Sequence, residues 1–199
     1  QRRRQRQMCI RDRLDIWVSG YDNSSGHVAM SYLGMDNQGE KPRLFKNNRD
    51  GTFKNVTIKS NMNYPLLTMG SNYGDLNNDG YLDIYAGTGD PDYRSVQPNR
   101  MFLNIEGKYF QDVTFHGRFG NIQKGHGVSF GDIDNDGDVD VVTTDFSGAI
   151  CHFNDGKGNF KAKKCTGNTT FTVTLGDFNN DGNLDMVTGN AHYNQVYRK

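Results

Sequence analysis

Short runs of alternating apolar and polar residues recur along the chain, separated by stretches rich in Asn, Asp and Gly. Three of these runs, at residues 82–85, 139–142 and 184–187, share an aliphatic residue followed by aspartate. Such runs are typical of β-strands, whereas Asn, Asp and Gly favour turns. No apolar stripe keeps helical spacing over three turns. The pattern therefore predicts an all-β protein with many tight turns.

The three runs belong to a longer repeat. Each follows a short apolar run ending in glycine and an acidic loop, and the first two lead into a strand with an aromatic residue, a turn and a last strand. Equivalent aspartates of successive units, Asp83, Asp140 and Asp185, are 57 and 45 residues apart. A four-stranded unit of this size is typical of a propeller blade. We predict a β-propeller of four-stranded antiparallel blades, with the acidic loop between the first two strands of each blade.

The repeat register predicts where the blades begin and end. Residues 61–122 and 123–167 each hold a complete blade, residues 14–60 lack the first strand and most of the loop, and residues 168–199 lack the last strand. Residues 1–13 contain six arginines, fit no strand and lack the apolar stretch of a signal peptide, so we expect a non-native or disordered leader. The chain is accordingly expected to be a fragment that has lost its signal segment and whose partners include the remainder of the propeller.

One nine-residue pattern, D-x-[DN]-x-D-G-x-[LV]-D, occurs three times, and we name the copies loop 1 (residues 75–83), loop 2 (132–140) and loop 3 (177–185). Side-chain oxygens recur at positions 1, 3, 5 and 9, and the glycine at position 6 permits a sharp bend. Clustered oxygens suit Ca²⁺, so the pattern predicts three calcium sites. The predicted ligands are the side chains of Asp75, Asn77, Asp79 and Asp83 with the Tyr81 carbonyl, of Asp132, Asp134, Asp136 and Asp140 with the Asp138 carbonyl, and of Asp177, Asn179, Asp181 and Asp185 with the Asn183 carbonyl.

One alternative to this interpretation is excluded by the sequence, and a second remains open. An EF-hand requires a glutamate at position 12, and these loops have Ala86, Thr143 or Thr188 there, so that class is excluded. An Asx-rich turn that binds no metal remains open. If calcium binds, loop 2 is expected to bind most tightly, because it offers four carboxylates and the other loops offer three.

The segment that begins at Leu14 repeats the end of a loop and the strand after it. Asp15 occupies position 9, but the residues before it do not supply positions 1 to 7. Trp17, in the following strand, is predicted to pack between neighbouring blades, with carbohydrate stacking as the alternative.

Composition narrows the function classes. The formal net charge is zero, but residues 14–199 alone carry 17 basic and 22 acidic side chains and no basic patch, so no nucleic-acid partner is expected. No apolar run approaches the length of a bilayer-spanning helix, so no membrane insertion is expected. The cysteines are Cys9, Cys151 and Cys165. The last two lie off-register in one predicted hairpin, which favours free thiols over a disulfide.

Two short segments, Phe130-Gly-Asp-Ile-Asp134 and Leu175-Gly-Asp-Phe-Asn179, resemble FG-GAP or VCBS repeats, the calcium-loop blades of integrin-α-type propellers. Residues 87–94, 98–102 and 123–127 are similar to the propeller of ASPIC/UnbV-type proteins, which include cartilage-acidic-protein homologues. These resemblances imply a binding or scaffold module in a secreted, periplasmic or surface-attached protein.

The expected function is therefore that of a non-catalytic, calcium-binding module that contacts a protein or glycan partner outside the cytoplasm. The alternative is the propeller domain of a secreted hydrolase or lyase that acts on polysaccharide. That class requires catalytic groups clustered on one face, and the sequence shows no such constellation.

Overall fold

The computed structural model describes residues 14–22, 24–89, 97–117, 122 and 125–190, together with the backbone of 194–197. The described residues form four antiparallel sheets in which each strand pairs with its neighbour along the chain. The sheets are β1 (Ile16–Val18), β2 (Arg43–Asn47) and β3 (Phe53–Asn55); β4 (Thr68–Gly74), β5 (Asp83–Thr88), β6 (Arg100–Ile105) and β7 (Tyr109–Asp112); β8 (Val128–Gly131), β9 (Asp140–Asp145), β10 (Gly148–Asn154) and β11 (Phe160–Lys164); and β12 (Thr172–Gly176), β13 (Asp185–Gly189) and β14 (Asn194–Tyr197).

This architecture confirms the predicted all-β fold of antiparallel blades. Loops 1, 2 and 3 join β4 to β5, β8 to β9 and β12 to β13, as the repeat predicts. The first sheet begins at the second strand of the pattern, because Ile16 of β1 pairs with Phe45 as Ile84 of β5 pairs with Phe102. The predicted blade boundaries remain predictions, and the predicted leader lies outside the described residues.

One element was not predicted, the helix α1 (Ser25–Tyr32) in the connection between β1 and β2. Apart from Ala29 and Met30 its residues are weak helix formers, and Val28 is its only buried residue. The Asp22 carboxylate fixes its start, accepting from the Ser24 N–H at 2.9 Å and contacting the His27 ring at 3.0 Å. A local contact therefore holds the start of a helix that is too short and too polar to leave a periodic signal.

The core consists of three clusters, each lying between two neighbouring sheets. All residues of β5 and β9 are buried. Because successive side chains of a strand point to opposite faces, Val141 packs in the second cluster while Val142 packs in the third. Trp17 packs against the first cluster, with residues of the second sheet, which confirms its predicted place between blades. Each central strand thus contributes to two cores.

Glycines allow the innermost strands to approach one another. β8 contacts β4 on one side and β12 on the other. A Cβ atom on Gly74 would lie 2.5 Å from Phe130 Cδ1, and one on Gly131 would lie 3.1 Å from Leu175 Cδ1. The large residue that precedes a loop therefore packs on the glycine that precedes the loop of the previous blade. This packing accounts for Gly74, Phe130, Gly131 and Leu175 in the first strands of three successive blades.

The expectation of free thiols at Cys151 and Cys165 was wrong, because these two residues form a disulfide. Cys151 pairs with Lys163 across the sheet, so the two cysteines are indeed off-register. Their Cα atoms nevertheless lie 5.9 Å apart, within the usual range for a bridge. Both side chains face the third core cluster, so the diagonal offset does not separate them.

Candidate metal centres

Each loop is held by its own aspartates. In loop 2 the Asp132 carboxylate accepts hydrogen bonds from the N–H groups of Asp136 at 3.1 Å and Gly137 at 3.0 Å. The Asp136 carboxylate accepts from the Asp138 N–H at 3.0 Å. The same three bonds recur in loops 1 and 3 at 2.8–3.1 Å. These Asx-type turns curl the backbone so that positions 1, 3 and 5 turn toward a common centre.

Two positions in every loop have a left-handed backbone. Gly137, at position 6, has a φ of +97°, and its equivalents behave alike. Asn135, at position 4, has a φ of +64°, and Asn78 and Asn180 have +58° and +59°. Among non-glycine residues, asparagine tolerates this region best. No role was predicted for position 4 from the sequence. Its occupation by asparagine in all three copies is the feature that could have indicated a left-handed backbone there.

Position 9 closes each loop from the first residue of the following strand. Asp83, Asp140 and Asp185 are fully buried. Asp140 accepts from the N–H of Ile133 at 2.9 Å and from that of Asn154 at 2.8 Å. Asp15 accepts in the same way from the Asn47 N–H at 2.8 Å, which agrees with its predicted equivalence to position 9. The position-9 aspartates therefore have a structural role that does not depend on metal.

Burial and neighbouring charge alter the pKa values of Asp83 and Asp140. Burial raises the pKa of Asp83 to about 6, although hydrogen bonds from the Asn104 and Leu76 N–H groups lower it. Burial likewise raises the pKa of Asp140, with the Asp134 and Asp136 carboxylates adding a smaller increase. Position 9 is thus electrostatically coupled to the oxygen cluster of its own loop.

The oxygens of loop 2 fit a single calcium ion. Asp132, Asp134 and Asp136 each present a carboxylate oxygen, and these oxygens lie within 4.8 Å of one another. Calcium binds oxygens at 2.3–2.6 Å, so two ligands of one ion are separated by no more than about 5 Å. The spacing and the hard donor type allow the trio to hold one metal ion; Asp132 is half-buried, and Asp134 and Asp136 are exposed.

Loops 1 and 3 have asparagine at position 3, which changes the cluster. The Asn77 amide donates to the Asp79 carboxylate at 3.0 Å, and the Asn179 amide donates to that of Asp181 at 2.8 Å. In both loops the amide nitrogen thus contacts a carboxylate oxygen that an ion would also need. A cation in these loops therefore requires the asparagine side chain to rotate, so that its amide oxygen and not its nitrogen faces the ion.

An asparagine near the end of the third strand supports loops 1 and 2, and the segment that ends at Asp15, from behind. The Asn154 amide donates to the carbonyls of Val139 at 2.9 Å and Leu76 at 2.6 Å, so it joins loop 2 to the preceding loop. Asn104 and Asn47 make the corresponding bonds to the carbonyls of Leu82 at 3.1 Å and Leu14 at 3.3 Å. Support of the loops by these three asparagines was not predicted from the sequence.

The apolar residues at positions 2 and 8 anchor the loops in the core. Leu76, at position 2 of loop 1, is fully buried, and Val139, at position 8 of loop 2, packs against the same second cluster. Val139 therefore faces the packing, whereas Asp140 beside it closes the loop. Leu82 is 50% exposed, so the packing at position 8 is not equal in every loop. Position 2 was not predicted to be buried, although it is apolar in all three copies.

The four-stranded units, their shared cores and their acidic loops define a repeat protein built from propeller blades. Three regions, residues 13–86, 75–143 and 132–188, match the family model for the FG-GAP-like repeat. These matches cover most of the chain, which therefore belongs to the FG-GAP-like repeat family. The last two matches begin at the first aspartate of a loop and end just after the next loop. No curated protein matches the chain at a significant level.

Within the described residues, no helix is long and apolar enough to cross a bilayer.

Proposed function

We propose that this chain is a non-catalytic, calcium-binding propeller module of a protein that works outside the cytoplasm, where it binds a protein or glycan partner. The observation that carries the calcium assignment is the trio of carboxylates in loop 2, whose oxygens lie within 4.8 Å of one another. Like charges at this distance repel, and a divalent cation among them converts the repulsion into attraction. Metal-free Asx turns need only one or two of these oxygens, so the third carboxylate favours a metal.

In loop 2 the ion would be held by Asp132, Asp134 and Asp136, with Asp140 and the Asp138 carbonyl completing the set. Loops 1 and 3 offer the equivalent positions with one carboxylate fewer. The ions would brace the turn between the first two strands of each blade, where the backbone is exposed. The role is structural, and FG-GAP-like repeats are typically interaction modules rather than catalysts.

Three arguments support the extracytoplasmic location. The Cys151–Cys165 disulfide is typical of proteins that fold in an oxidising compartment. Calcium outside cells reaches concentrations that fill even sites with dissociation constants of about 10⁻⁴–10⁻³ M. The resemblance of residues 87–94, 98–102 and 123–127 to ASPIC/UnbV-type propellers favours the same location. Of these, residues 90–94, 123 and 124 lie outside the described part.

The test is calorimetric titration of the chain with CaCl₂, together with thermal unfolding with and without a chelator. We expect binding heat and a melting temperature that falls when calcium is removed. Asp136→Ala should reduce the stoichiometry by one site, whereas the matched control Asp155→Ala, in the hairpin turn after β10, should not. A chelator-insensitive melting curve with no binding heat would contradict the calcium assignment.

The partner class requires a separate screen. The calcium-loaded chain is applied to a glycan array, and bound polysaccharides are then assayed for cleavage. Binding without turnover supports the module proposed here. Turnover would instead favour the polysaccharide hydrolase or lyase.

A further inference from the structure

Neighbouring loops are joined by side-chain hydrogen bonds. The amide nitrogen of Asn78, at position 4 of loop 1, donates to the carboxylate of Asp138, at position 7 of loop 2, at 2.8 Å. The two residues are 60 positions apart in the sequence and belong to different blades. This bond therefore links the loops directly and not through the core.

The same link recurs between loops 2 and 3. The Asn135 amide, again at position 4, donates to the side-chain oxygen of Asn183, again at position 7, at 2.6 Å. Two blade pairs thus make the bond from equivalent positions, although one acceptor is charged and the other is neutral. Recurrence at equivalent positions indicates that the contact follows from the geometry of the repeat.

A second contact strengthens the link between loops 1 and 2. Asn154 donates from its backbone N–H to Asp140 of loop 2 and from its side chain to the Leu76 carbonyl of loop 1, at 2.8 Å and 2.6 Å. One residue that is 5% exposed therefore contacts both loops. The two loops cannot reorganise independently without breaking one of these bonds.

The joined positions lie beside the ligands of the proposed function. Asn78 stands between Asn77 and Asp79, the ligands at positions 3 and 5 of loop 1. Asp138 supplies its own carbonyl to the ion in loop 2, so filling that loop fixes the backbone that carries its carboxylate. Its carboxylate, in turn, fixes Asn78. Ordering of loop 2 therefore restricts the ligands of loop 1 through the Asn78–Asp138 bond, in addition to the contact that Asn154 makes.

We propose that the loops are thermodynamically coupled, so that calcium in one loop raises the calcium affinity of its neighbour. This inference rests on the proposed calcium function. The cause is entropic: a loop whose neighbour is already filled loses less conformational freedom when it binds its own ion. Linkage makes the effect reciprocal. Coupling between loops 1 and 2 exceeds that between loops 2 and 3, because a bond to a charged acceptor is stronger than one to a neutral amide.

The experiment measures the affinity of each loop by NMR titration of the complete chain with CaCl₂. The amide protons of Gly80, Gly137 and Gly182 report on loops 1, 2 and 3, because each is bonded to the first aspartate of its own loop. Asp136→Ala prevents the filling of loop 2. We expect this change to weaken calcium binding at loop 1 by about fivefold, near the lower end of typical coupling between sites.

Asn78→Gly tests the bond itself. Glycine accepts the left-handed backbone of this position, where φ is +58°, and removes only the amide. In this variant the effect of Asp136→Ala on the affinity of loop 1 should become clearly smaller, and only the part carried by Asn154 should remain. Asn180→Gly is the matched control: it occupies the same position of loop 3, and within the described residues its side chain makes no hydrogen bond. The control should leave the coupling of loops 1 and 2 unchanged.

The possible failures are distinguishable. If none of the three glycine signals responds to calcium, both this inference and the calcium function are overturned. If all three respond but loop 1 binds equally well with and without Asp136→Ala, the calcium function stands and the coupling is overturned. A coupling that Asn78→Gly leaves undiminished would likewise refute the assignment to this bond.

Discussion

Replacement of Asn154 by alanine should destabilise the protein far more than the same change at Asn104, although the two residues occupy equivalent strand ends. The Asn154 side chain is 5% exposed and donates to two carbonyls, those of Leu76 and Val139. Leaving a buried acceptor without a donor costs about 1–3 kcal/mol. Two such acceptors give an expected loss of about 3 kcal/mol in the free energy of unfolding.

Asn104 makes only one of these bonds, to the Leu82 carbonyl at 3.1 Å. Leu82 is 50% exposed, so water can replace the amide there. The side-chain oxygen of each asparagine also accepts a hydrogen bond from the N–H group of a turn residue, and alanine removes this bond in both variants. We therefore expect Asn104→Ala to cost about 1 kcal/mol or less.

The measurement is urea denaturation of both variants, in the presence of a chelator so that metal does not contribute. With a slope of about 2 kcal/mol per molar urea, the Asn154 variant should unfold at about 1.5 M less urea than the parent chain, and the Asn104 variant within about 0.5 M of it. Equal shifts in the two variants would refute the argument, because it depends on the second carbonyl and on burial.

Three further predictions follow from other parts of the molecule. Loop 2 should bind Ca²⁺ more tightly than loops 1 and 3 in titrations of single-loop variants, and a tighter loop 1 would contradict the charge argument. Burial lowers the pKa of His152 to about 4. Below about pH 6.5 the unfolded chain gains a proton at His152 that the folded chain refuses until about pH 4, so the contribution of His152 to stability should fall by up to about 3 kcal/mol across this window; the stability of the parent chain relative to His152→Gln, measured by urea denaturation at each pH, should fall by that amount, because the opposite contribution of Asp83 is common to both chains. The Cys151–Cys165 disulfide closes a sequence separation of 14, and its removal should cost about 3 kcal/mol in unfolding experiments with and without reductant, whereas a double Cys→Ser variant should show no response to reductant.

The sequence was sufficient for the strands and the loops because both depend on local chemistry. Alternation of apolar and polar residues determines a strand, and aspartates at fixed offsets determine an Asx-rich loop. The equivalence of Asp15 to position 9 could also be predicted, since the residues after it, Ile16 and Trp17, repeat the local pattern. The bond from the Asn47 N–H to Asp15, at 2.8 Å, agrees with that equivalence.

The remaining features depend on partners that are distant in the sequence. Asn154 reaches the Leu76 carbonyl across 78 residues, and no local pattern encodes that distance. The disulfide required knowledge that both thiol groups face one inter-blade core. Helix α1 has a different cause: Asp22, which fixes its first turn, is close in the sequence but belongs to no apolar stripe. For Asn154 and the disulfide the missing information is three-dimensional and does not lie in residue type.

The acidic loops and the connections of variable length lie at opposite ends of the blade strands. All three acidic loops join the first strand of a blade to the second, so they share one rim of the structure. The connections at the other rim differ widely in length: β5 ends at Thr88 and β6 begins at Arg100, whereas β9 ends at Asp145 and β10 begins at Gly148. One rim is thus conserved in form from blade to blade, and the other is free to diversify, so that new recognition surfaces can arise without disturbing the elements that keep the blades in register.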